Sequence, residues 1–270
     1  MFRPTVRYWM EVEVHVYGFS IAANVLLSFF PFLIVMVSLF RAAGWSAAES
    51  AVYFTLLDYF PGELGDFVQR NLKVAVARRG PFQFVSMLLL LFAANGIFEP
   101  LEVALNRAWG IAKNRSYLKN QLVSLGLIFA CGSLALLSVV LTALNRQFLA
   151  GLDGRTGYFL GLMGTAFFKM AALPITIAAL FLVYWLLPNC KIRAVQVVPA
   201  AIAVGLALEA VKYLNLIVWP WLRIKLQREY GPFVYSATIV LWSFAASMIV
   251  LAGAEWMARS RIPESPADAA

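Results

Sequence analysis

Histidine is all but missing from this chain of 270 residues: His15 stands alone, and a metal centre built on clustered imidazoles is excluded with it. Cysteine is nearly as scarce. Cys131 falls inside an apolar run and Cys190 in a short loop, so neither a disulfide framework nor a thiolate metal site is expected, and no cofactor is called for. Charge is thin as well, at 13% of residues where an ordinary globular chain carries about a quarter. The balance is basic, +8 overall, but Lys and Arg are scattered between apolar runs and form no stripe or block, which argues against nucleic acid and for anionic lipid headgroups as partners. No internal repeat is evident, so inverted-repeat transporter logic has nothing to rest on. The sequence leaves a homo-oligomer open.

What the chain does have is apolar length. Hydrophobic residues make up 62% of it, in continuous rather than alternating runs. A hydrocarbon core of roughly 30 Å takes about 20 helical residues, and unpaired backbone in lipid is costly, so the reading is an all-α polytopic membrane protein. Six spans are expected: Ile21–Phe40, Phe82–Phe98, Leu122–Leu144, Ala166–Leu187, Val195–Val218 and Phe233–Met257. Pro31 should bend the first. The second should continue, bent at Pro100, to Trp109-Gly110. Between the first two, Ala48–Phe60 and Glu63–Val76 have helical apolar spacing broken at Pro61-Gly62, and read as amphipathic helices on the membrane surface. A Gly-rich surface helix (Gly157, Gly161, Gly164) is expected before span four, and a polar connection over Arg223–Pro232. Residues 1–262 form one integral domain in this reading, and 263–270 a disordered tail.

The segment Met1–Tyr17 carries Glu11 and Glu13 after Arg3 and Arg7, unlike a cleavable signal peptide, and is expected to be retained. An even number of spans puts both termini on one side. Lys and Arg number ten on each side, so charge alone ties, and only the smaller weight of a long outer loop favours termini inside.

Ionisable and polar groups at membrane depth are the candidate substrate- or ion-binding residues. Glu209 and Lys212, three apart in span five, share a face: they either neutralise each other or line a polar cavity. Lys169 either snorkels to the interface or joins that cavity. Glu99 and Glu102 share a face at the proline bend, where free carbonyls and carboxylates could bind a cation or carry a proton. Arg107 is placed to pair with Glu102 or a lipid phosphate. Asn24 and Ser28 are expected to hydrogen-bond a neighbouring helix, and Glu255 to pair with a basic loop. Tryptophans and tyrosines near span ends read as interfacial anchors. Catalysis has no candidates: no Asp lies in a span, and Ser28, Ser86 and Ser124 have no His within pattern reach, so the chain reads as a non-enzyme.

Taken in order, Ile21-Ala22-Ala23 to Ser28-Phe29-Phe30-Pro31, Ala104–Gly110 (ALNRAWG), Tyr184–Asn189 (YWLLPN), Tyr230-Gly231 and Gly253-Ala254-Glu255 resemble the YihY family of bacterial inner-membrane proteins, which includes the virulence factor BrkB and once carried a ribonuclease label. The resemblance covers nearly the whole chain. It implies six spans with both termini cytoplasmic, and a link to movement of lipids across the inner membrane. The residues themselves speak against ribonuclease activity, since metal-dependent phosphodiester cleavage needs His and Asp converging on one site. Two functions are expected from different classes: a translocator of a lipid or other amphiphilic or anionic substrate through a polar cavity joining Glu99, Lys169 and Glu209, or a non-transporting scaffold for envelope maintenance that binds lipid or a partner.

Overall fold

The computed structural model describes Tyr8, Met10 and residues 12–59, 63–77, 81–111, 116–150 and 173–259. Among these, secondary structure is helical throughout: α1 (Val12–Ala42), α2 (Ser46–Tyr59), α3 (Glu63–Ala77), α4 (Pro81–Ala108), α5 (Tyr117–Ala150), α6 (Leu173–Leu186), α7 (Ala194–Tyr230), a 3-10 turn (Gly231–Phe233) and α8 (Val234–Arg259). Lys169, the Gly157–Gly164 segment and the expected tail lie outside the described residues.

Three stretches of the described residues are long and apolar enough to cross a membrane: Glu13–Ala42, Lys119–Leu141 and the 66 residues Ala194–Arg259, the last holding both α7 and α8. Leu173–Leu186 is a shorter apolar helix. Pro31, Pro100, Pro199 and Pro220 all fall inside helices. Each removes one backbone donor, and neighbouring helices make the loss tolerable where water is absent. Glycine ends three of the described helices, at Gly44, Gly110 and Gly231. Gly44 and Gly110 have φ of +70° and +67°, letting Trp45 N–H reach Phe40 O and Ile111 N–H reach Asn106 O, so the final carbonyls of α1 and α4 are satisfied.

The bundle has two principal cores stacked along it. The first joins the N-terminal half of α1 (Val14, Ile21), the C-terminal half of α4 (Leu101, Leu105), the end of α6 (Tyr184, Leu187), the start of α7 (Val197, Ala201) and the end of α8 (Leu251, Ala254). The second joins the C-terminal half of α1 (Leu33, Val37, Phe40) to α2 (Ala51, Val52), α3 (Val68, Leu72, Val76), Val139 of α5 and Trp219 of α7. α1 therefore threads both. Its N-terminal half packs beside the middle of α8, where the Phe19 and Phe244 rings stack at 4.1 Å.

The expected helices of the first long loop are α2 and α3. In α3 the fourfold spacing of Val68, Leu72 and Val76 buries one face completely, and Asp66, Arg70 and Lys73 are exposed on the other. α2 departs from a simple surface helix: Ala48, Ala51, Val52, Tyr53 and Leu56 are all buried, held among α1, α3 and α5.

One boundary is corrected. α7 does not stop at Trp219-Pro220-Trp221 but runs for 37 residues, ~55 Å at 1.5 Å per residue, and the polar connection expected over Arg223–Pro232 is helical as far as Tyr230. The reason is periodic burial. Trp219, Leu222 and Leu226 extend the inward stripe by steps of three and four, and Leu222 and Leu226 pack against Val234.

Candidate functional site

At the end of the bundle held by the first core, sequence segments far apart in the chain converge. Asn106 of α4 is 1% exposed; its Oδ1 accepts from the backbone N–H of Asn189 at 2.7 Å, and its Nδ2 faces Glu102 Oε1 at 3.4 Å. The amide thus faces a donor with its oxygen and a carboxylate with its nitrogen. Next to this junction, Tyr184 of α6 is fully buried and donates its hydroxyl to Val250 O of α8 at 2.7 Å. A Cβ on Gly253 would lie 2.7 Å from that hydroxyl and 2.2 Å from Val204 Cγ2, so only glycine lets α8 come so close to α6 and α7. Trp185 Nε1 donates to Ile192 O at 3.1 Å, closing the loop between α6 and α7. The pieces ALNRAWG, YWLLPN and Gly253-Ala254-Glu255 are therefore parts of one three-dimensional junction.

The site residues expected from sequence sort differently. Glu99 is exposed and Glu102, one turn on, is 2% exposed, so the two carboxylates are not presented together as their shared face suggested. Arg107 pairs with neither Glu102 nor a turn of its own helix; it forms an ion pair with Glu13 of α1. α1 begins nine residues earlier than the expected Ile21, and that extension brings Glu13 within reach. Asn24 and Ser28 do not bond a neighbouring helix. Asn24 Nδ2 donates to Ser20 O at 2.9 Å and Ser28 Oγ to Val25 O at 3.1 Å, both within α1. Asn24 nevertheless fixes a helix contact, because its side chain occupies the space where Gly96 of α4 would carry a Cβ, 2.0 Å from Asn24 Oδ1. Glu255 pairs with Arg259 one turn along α8, at 3.5 Å.

On α7, Lys212 Nζ meets Glu209 Oε1 at 3.3 Å, with the two side chains 19% and 33% exposed. Their position along the helix is informative. Val197, Ala201, Val204, Leu208, Lys212, Asn215, Trp219, Leu222 and Leu226 follow one another by threes and fours, a single stripe whose upper and lower thirds enter the cores while Lys212 and Asn215 occupy its middle. Asn215 Oδ1 is itself buried. The period was readable in the sequence; that polar groups fall between two cores was not.

A cleft of 320 Å³ opens between α1, α2, α5 and α6, and none of the six described sequence candidates lines it. It is walled mainly by Phe, Leu, Met, Ile and Val side chains, so it is not the polar cavity expected to join Glu99, Lys169 and Glu209.

An all-helical bundle of this apolarity, with charges on helices otherwise fit for lipid, is a membrane protein. The chain belongs to the Virulence factor BrkB family, which it matches over residues 5–269. Among its relatives, the UPF0761 membrane protein PSHAa0171 of Pseudoalteromonas translucida is 22% identical over 264 residues, 92% of this chain and 84% of that protein. UPF0761 membrane proteins of Chromohalobacter salexigens and Paraburkholderia xenovorans are 24% and 27% identical over 91% and 90% of this chain, which spans only 60% and 55% of their lengths. No solved structure matches the chain.

Proposed function

We propose that α1, α4, α5, α6, α7 and α8 cross the bacterial inner membrane, both termini lying in the cytoplasm, and that the protein translocates an amphiphile, a lipid or another anionic substrate, past the polar middle of α7. The observation that carries this reading is the interruption of the α7 stripe by Lys212 and Asn215 between two apolar cores, with Glu209 alongside. A charged pair serving packing alone would be sealed, and these side chains keep 19% and 33% of their surface. Partly open charge at membrane depth suits a path along which an anionic headgroup can exchange water for Lys212.

The test is reconstitution in liposomes carrying a lipid with a fluorescent headgroup, scored by its accessibility to an impermeant quencher. Glu209→Leu with Lys212→Leu removes both charges together, which avoids the orphaned ion that either change alone would leave. Loss of transport by at least about tenfold, roughly 1.4 kcal/mol on the barrier, supports the reading. Unchanged transport sinks it. A non-transporting scaffold is the second reading. Its support is the pairing of Arg41 with Glu49, Arg107 with Glu13, Lys212 with Glu209 and Arg259 with Glu255, which leaves these charges balanced within the bundle. Wild-type protein that moves neither lipid nor ion in the same liposomes decides for it.

A further inference from the structure

The apolar cleft has walls from four helices: Phe32 and Met36 from α1, Leu56 from α2, Cys131 and Leu134 from α5, Ile175 from α6. Its α1 and α5 walls lie within the stretches Glu13–Ala42 and Lys119–Leu141, so at this height the surroundings are hydrocarbon. At 320 Å³ it falls at the lower end of the range, about 300–1,000 Å³, of sites that hold small ligands. Among the described residues, the only polar side chains on its walls are Ser138, Thr176 and the Cys131 thiol, and none carries charge. A void with such walls forfeits dispersion contacts on every side until something apolar and slender fills it. Among the described residues, a charged headgroup finds no charged partner inside. A hydrocarbon tail finds a continuous apolar lining.

We infer that this cleft is a binding site for one acyl chain of a bilayer lipid, entering sideways between α1, α2, α5 and α6. The inference deepens the proposed function by naming the part of the substrate this region holds, and it rests on the same membrane placement. Occupancy does not require transport, so the two readings can fail separately.

The full chain is reconstituted in liposomes containing a phosphatidylglycerol with a photoreactive diazirine in mid-acyl chain, irradiated, and the adducts are mapped by mass spectrometry. Adducts on Met36, Cys131 and Leu134 are expected to exceed severalfold those on Phe129 and Leu137, which are exposed on the outer face of the same α5. Ala135→Phe and, from the opposite wall, Ala179→Phe fill the cleft and should abolish its adducts while leaving those on Phe129 and Leu137. Equal labelling around α5 in the wild type overturns the inference, and does so even if neither variant folds. Cleft adducts that survive both fillings overturn it too. Cleft adducts in a protein that moves no lipid would uphold the site and reject the transport reading.

Discussion

Tyr53 illustrates a cost carried by a single residue. It is 8% exposed in the second core, and its hydroxyl is buried with no hydrogen-bond partner among the described residues. Burial first, then the negative charge of Glu49, raises its pKa above the ordinary 10, against the opposing pull of Arg41. A raised value in the folded state means that the neutral phenol is the form the fold accepts. The associated stability is complete below pH 10 and drains away as pH rises through the folded value. Tyr53→Phe should therefore hold or raise the melting temperature at neutral pH, because an unpaired buried hydroxyl costs about 1–3 kcal/mol, and should flatten the decline between pH 9 and 11. Melting scans in detergent across that range check it. The aromatic face remains for Lys73, whose Nζ lies 5.4 Å from the ring centre, so Tyr53→Ala should lose what Tyr53→Phe keeps. A Phe variant that loses stability in alkali as steeply as the wild type would refute the account.

Among the elements, α8 packs tightly against α6 and α7, and Gly253 is the point of contact. An added Cβ would meet Val204, whose β-branched side chain has little rotamer freedom, and the Tyr184 hydroxyl, already engaged by Val250 O. Gly253→Ala should thus destabilise by about 1–3 kcal/mol, the usual cost of overpacking. Gly96→Ala meets first the movable Asn24 amide and should cost less, with Asn24→Ala restoring what is lost. Denaturation in detergent of the three variants tests the ranking; equal losses at both glycines would refute it. Sequence alone carried the helices well. Although α1 begins nine residues before the expected Ile21, long apolar runs and helical apolar spacing placed its end and both α2 and α3 within a few residues. It underestimated α7, because Pro220 and the charges after it looked like a boundary while Leu222 and Leu226 were quietly continuing the apolar period. The candidate site was legible in residue type and not in partnership: that Arg107 meets Glu13, or that Asn106 holds the Asn189 loop, depends on contacts between elements that no local spacing encodes.

For the molecule as a whole, two cores strung along α1 imply two units of local stability, joined by the α2–α3 hairpin at one end only through the second. Arg41, at the last turn of α1, clasps that hairpin on both sides: it pairs with Glu49 of α2, and its Nη1 donates to Val76 O of α3 at 3.4 Å. Arg41 is 39% exposed, and an ion pair so placed contributes roughly 0.2–1 kcal/mol, too little to govern the whole fold. It is enough to govern the hairpin. Arg41→Ala should speed amide exchange across residues 46–77 by up to about fivefold, the effect of ~1 kcal/mol on local opening, and leave exchange at Leu101–Leu105 and Val197–Val204 in the first core unchanged. Hydrogen exchange read by mass spectrometry in lipid nanodiscs separates these regions directly. A rise of the same size in both would mean that the cores open together and that α1 transmits the loss along its length, which the division between them forbids.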